Sequence, residues 1–187
     1  FTMDYLYELV DQGTDLSNAE DNFGLFTTSW APKPAAVAVH NLMQLLQDPG
    51  NGTVAPGTLT FSLTGLPATG NSVLLEKSDG TFVLVIWNDA RLTGPVTNTD
   101  IVVPNTPVTL TLGSAAAKIA VFDPLTGTNA IATASNSTQL TLSVPDHPIL
   151  VEIGPNAGPP ASAGTASIPP PVIPNAPTGV TVQGPAT

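Results

Sequence analysis

A chain of 187 residues with 42% hydrophobic side chains can bury the core of one ordinary domain and carry further segments. Its charge is sparse and acidic, 14 Asp and Glu against 4 Lys and Arg for a net charge of -10, a field that repels nucleic-acid phosphates and anionic lipid surfaces. Cysteine is absent, which excludes disulfides, thiolate metal sites and cysteine nucleophiles.

Only 10% of residues are charged, so the surface must be built from Thr, Ser, Asn and Gly, as in many secreted β-proteins. No apolar run reaches the roughly 20 residues of a membrane-spanning helix. Phe1-Thr2-Met3-Asp4 lacks the charged start and hydrophobic stretch of a signal peptide. The chain begins directly in structure-forming sequence, and a processed or excised fragment is expected.

The first region is 1–52. Residues 5–10 are apolar and aromatic enough for a short strand buried on both faces, as in parallel sheets. A polar loop with several acids follows over 11–22, then a brief extended piece, Phe23-Gly24-Leu25-Phe26. Pro34 opens a helix over 34–47. Ala35, Ala38, Leu42, Leu45 and Leu46 line one face of it; His40, Gln44, Gln47 and Asp48 line the other. Pro49-Gly50 stops it, so this is a β-loop-α unit.

In the second region, 53–154, the apolar period becomes two. Strands are predicted at 58–64, 72–77, 81–87, 99–103, 108–112, 117–122, 130–134, 139–144 and 149–153. Turn residues separate them at Ser78-Asp79-Gly80, Pro104-Asn105, Asp123-Pro124 and Asn136-Ser137. Short strands at this spacing predict a mainly β fold built as an antiparallel β-sandwich. Phe82 to Trp87 is apolar on both faces. One face should fill the core, and the other needs a cover from a neighbouring unit.

The third region divides into a Pro/Ala/Gly-rich linker, 155–177, and the start of a further β-module, 178–187. "APTGVTV" there resembles the entry to a fibronectin type III-like module.

A lone β-loop-α unit cannot bury its own strand. The succession "YELVD … NFGLF … PKPAAVAVHNLMQLL" resembles the eighth strand, loop and helix of retaining (β/α)8-barrel glycoside hydrolases of the cellulase-like and xylosidase-like clan. The following "GTFVLVIWND … VTLTLG … AKIAVFDPLTG … TLSVPDHPILVEIG" is similar to the β-sandwich that follows the barrel in several such families. The resemblance covers about residues 1–154. It implies the C-terminal portion of a secreted O-glycosidase, extracellular or on the cell surface, from a bacterium. Its partners would be a carbohydrate substrate held by the complete barrel, an upstream barrel segment and further C-terminal modules. No cofactor is implied. In these families the acid/base glutamate follows the fourth barrel strand and the nucleophile the seventh. Neither lies in residues 1–187, so this segment is expected to be structural and inactive alone. Retaining cleavage needs two carboxyl groups about 5 Å apart.

Glu8 and Asp11, at the end of the barrel-like strand, and Trp30, in the loop before the helix, are the candidate substrate-binding residues. Carboxylates would bind sugar hydroxyls, and the indole would stack on a sugar ring. The structural alternative is preferred for each: a hydrogen bond inside the barrel for Glu8, a turn cap for Asp11, and a packing contact locking the join for Trp30. The loop 11–22 is oxygen-rich, but its spacing does not match an EF-hand and reads as a solvated acidic loop. His40 and His147 are the only histidines and lie far apart, which argues against a transition-metal site. No Gly-x-Ser-x-Gly elbow anchors a serine hydrolase. The competing reading is a non-catalytic surface, matrix or carbohydrate-binding protein on a glycosidase-like scaffold.

Overall fold

Between Phe61 and Ile153 the alternating apolar residues form a six-stranded antiparallel sheet. The computed structural model describes residues 6–48, 50, 55–94, 99–154 and 157–158. The strands are β1 (Phe61–Thr64), β2 (Gly70–Glu76), β3 (Phe82–Asn88), β4 (Thr106–Phe122), β5 (Ala130–Val144) and β6 (Ile149–Ile153). The order is β1-β4-β6-β3-β2, with β5 along β4. The first half of β4 pairs with β1, its second half with β6, and both halves with β5.

The sheet curls because β4 is bulged. Its register with β5 shifts between Thr111 and Ala116. Before the bulge Val108, Leu110 and Leu112 face the main core; after it Ile119 and Val121 do. The inward positions change from even to odd because β4 gains three residues on β5 between the pairs Thr111–Gln139 and Ala116–Ser137, and an odd slip inverts a two-residue repeat. Leu84, Ile86, Leu142, Val144, Ile149, Val151 and Ile153 complete this core.

The opposite face carries a second core. Residues directly paired across the ladders form two rows there. One runs Val73, Val85, Leu150, Phe122, Ala130; the other runs Leu75, Val83, Glu152, Ala120, Thr133. Helix α1 (Pro34–Leu45) covers the middle of these rows. Leu42, Leu45 and Leu46 pack on Val83, Val85, Ala120, Phe122 and Leu150. The cover that the doubly apolar strand β3 required is therefore this helix. Pro34 sits in its first turn, where a missing N–H costs nothing.

The second half of the helix is tied to the sheet at two points. Asn41 Nδ2 donates to Pro124 O at 2.8 Å, in the turn after β4. Lys77 Nζ, just past β2, donates to Leu45 O at 2.8 Å. Asp48 accepts from Ser78 N and Oγ. The last turn of the helix thus lies between the β4–β5 turn and the β2–β3 turn.

Several expectations change. Two pairs of predicted strands, 108–112 with 117–122 and 130–134 with 139–144, are each one long strand carried through an irregularity; Asn136 takes φ 49 within β5. Residues 99–103 form no strand, only a bridge from Asp100 to Thr93, since the ladder gives them no neighbour. Residues 6–10 are likewise not a regular strand. Val10 forms a single parallel bridge with Phe26, and Glu8, Leu9 and Asp11 exchange backbone hydrogen bonds with 23–26. Tyr5 lies outside the described residues, as do the linker from 159 onward and 178–187. The segment expected to be buried on both faces is open: Leu6, Tyr7 and Leu9 are 69%, 66% and 57% exposed. Among the described residues its one strand-like neighbour is 23–26. On α1, Ala36 rather than Ala35 is buried. Among the described residues no helix is long and apolar enough to cross a membrane.

Candidate functional site

Glu8, Asp11 and Trp30 gather around the extended piece 23–26. Glu8 N donates to Phe23 O and Glu8 O accepts from Leu25 N. Asp11 N donates to Phe26 O, and the Trp30 ring lies 6.4 Å from that of Phe26, tilted by 44°. All three are therefore positioned by one short segment.

Their chemistry differs. The Asp11 carboxylate is engaged through one oxygen: Oδ1 accepts from Gly24 N at 2.8 Å and from Lys33 Nζ at 2.9 Å. Lys33 also donates to Asn22 O at 2.7 Å. This clasp closes the loop 11–24 onto the start of α1. Asp11 consequently stands as a loop anchor, close to the turn-capping role. Glu8 is different. Its Oε2 accepts from Gln12 Nε2 at 3.1 Å, while Oε1 is buried with no partner among the described residues. Gln12 Nε2 also donates to Tyr7 Oη at 2.8 Å, and Tyr7 meets Phe23 edge-on at 6.0 Å. An orphaned carboxylate oxygen beside an aromatic pair is a polar group awaiting a donor. Trp30 occupies φ 64, a left-handed conformation that costs a bulky residue about 1–2 kcal/mol. The turn Thr27–Ala31 imposes it, with Thr27 N donating to Ala31 O and Trp30 N to Thr27 O.

No known family model matches this chain, and no curated protein matches it.

The acidic loop satisfies itself. Asp15 Oδ1 accepts from Ser17 N and Oγ, which lowers the Asp15 pKa below its ordinary value, and Asp21 accepts from Asn18 Nδ2. Among the described residues no three His, Asp or Glu side chains converge in a way that could hold a metal. A cleft of about 510 Å³ lies elsewhere, between Asp48, Gly57, Leu75, Glu76, Ser78 and Phe82. Both its carboxylates are already hydrogen-bonded, Glu76 to Gly57 N and Asp48 to Ser78, so neither is set up as a base.

Lysine was the signal that sequence reading missed. With four basic residues in the chain, each is scarce. Lys33 locks the candidate site and Lys77 locks the helix to the sheet. Lys77 Nζ also meets Glu152 Oε1 at 2.6 Å, and Glu152 Oε2 accepts from Gly158 N. His147 bridges turns, with Nδ1 3.0 Å from Asp146 Oδ1 and Nε2 3.2 Å from Asp123 Oδ1. That contact braces the turn that holds Asn41, beside an apolar cavity of about 110 Å³ under Val39 and Leu42.

Proposed function

We propose that residues 1–154 are the C-terminal portion of a secreted glycoside hydrolase, the first region being the last β/α unit of its (β/α)8 barrel and the curled sheet the β-sandwich behind it. The observation that supports this reading is an imbalance within one unit. Helix α1 is sealed onto the sheet, while the strand-like residues it belongs with expose Leu6, Tyr7 and Leu9. Parallel strands on either side would bury those residues, and only a larger barrel supplies them. In that setting Glu8, with its unpaired oxygen, would hold a sugar hydroxyl or orient the catalytic pair. Asp11 and Lys33 keep the loop in place, and Trp30 forms part of the loop wall. The segment itself carries neither catalytic glutamate, so its role is structural.

The test is hydrolysis of a panel of aryl glycosides by the product of the whole gene and by the 187-residue chain. Turnover is expected from the first alone, and it should vanish when an upstream glutamate is replaced by glutamine. Inactivity of the whole product on every sugar would instead favour a non-catalytic scaffold.

A further inference from the structure

Among the described residues the α1-bearing face of the sheet is only partly covered. Its rows end on β2, where Val73 and Leu75 are 46% and 41% exposed. Next to them on the same face stand Val85 and Trp87, both half-buried; Trp87 pairs with Asn71 across the ladder. These side chains continue the apolar surface on which Leu42, Leu45 and Leu46 rest.

We infer that this corner is the seat of a second amphipathic helix lying beside α1. This rests on the reading of the first region as one unit of a larger barrel. Three observations select the occupant. First, the open side chains project from the face of the sheet, not along its edge. A strand added to β2 would leave them in water, whereas a helix laid on the face would cover them. Second, the spacing fits. Strands lie about 4.8 Å apart and packed helices about 8–10 Å apart, so the neighbour of a helix resting on β4, β6 and β3, and centred on β6, falls two strands away over β2. Third, the patch is small. Four side chains fall well short of the roughly 800 Å² per partner that a stable bimolecular interface buries. A second copy would also bring together two chains of net charge -10. A tethered helix meets neither obstacle, because its association is intramolecular. Its buried stripe would be uncharged and apolar at i, i+3, i+4 and i+7, to match Val73, Leu75, Val85 and Trp87.

The experiment is photo-crosslinking in the product of the whole gene, with Val73→p-benzoylphenylalanine or Leu75→p-benzoylphenylalanine. A cooperative thermal melt confirms that each variant folds, and mass spectrometry maps the adduct. The expected adduct joins β2 to an upstream peptide with helical apolar spacing. A crosslink between two copies, a crosslink to a peptide of period-two pattern, or no crosslink would overturn the inference. So would retention of the 187-residue chain on insoluble cellulose or xylan that is lost on Trp87→Ala, since the patch would then be a carbohydrate platform. Glycosidase activity of the same preparation separates the two readings: an active enzyme without the helical adduct removes this inference alone. An inactive product lacking upstream β/α repeats removes the barrel reading as well.

Discussion

Lys77 and Glu152 show how a single charge pair decides whether the helix and the sheet fold as one body. Glu152 is 2% exposed and stands in the middle of an otherwise uncharged row. Breaking such a pair leaves a buried charge without a partner, which costs about 3–5 kcal/mol. Lys77→Met should therefore destabilise the chain by that amount in urea denaturation. Adding Glu152→Leu should recover most of the loss, since a buried pair exchanged for apolar residues is often neutral. Asp48 acts at the other end of the same join. Its pKa is lowered below the ordinary 3.8, chiefly by the Ser78 hydroxyl and then by Gly50 N–H. A depressed carboxylate stabilises the fold above the ordinary value and loses that contribution as pH falls through its own lower value. Ser78→Ala should move the Asp48 titration back up, followed by carboxyl-carbon NMR; an unmoved titration would deny the hydroxyl its role. At Trp30, Gly should be tolerated better than Ala by about 1 kcal/mol. Both lose the contact with Phe26, but only Gly accepts φ 64 without strain. None of these partners was legible beforehand. Composition counts charges, but only the fold brings Lys77 75 residues along the chain to Glu152.

Helix α1 was readable because its apolar period and its proline start agree. Its docked face, Leu42, Leu45 and Leu46, follows that period directly. Leu45→Ala should cost about 2–5 kcal/mol in thermal or urea unfolding, as for a buried leucine with little room to collapse. Met43→Ala, on the exposed side, should change stability by no more than about 0.5 kcal/mol. The strands were harder. Gly113-Ser114-Ala115-Ala116 looks like a break between two strands, because it lacks large apolar residues. The ladder with β5 carries the chain through it, with a three-residue slip in register. A bulge is a tertiary solution to curling, and its local sequence signal is weak. Residues 99–103 show the opposite error: their composition suits a strand, but among the described residues they pair with the sheet nowhere, and strand propensity without a partner decides nothing.

At the level of the whole molecule, the mainly β class and the need of β3 for a second cover could both be read from the alternation of apolar residues. The single curled sheet could not, since strand order depends on long-range pairing. The candidate site was legible only as a neighbourhood. Glu8, Asp11 and Trp30 do meet around 23–26, yet the division of labour between an anchored Asp11 and a half-paired Glu8 comes from Lys33 and Gln12. The molecule joins a sheet whose centre is sealed by α1 to a first region whose apolar side is open, and that contrast carries the proposal of a barrel. Amide hydrogen exchange across residues 6–10 in the product of the whole gene tests it most directly. Slow exchange there, against fast exchange in the 187-residue chain, is expected if parallel neighbours flank the segment. Equally fast exchange in both, with the sheet amides still protected, would contradict it.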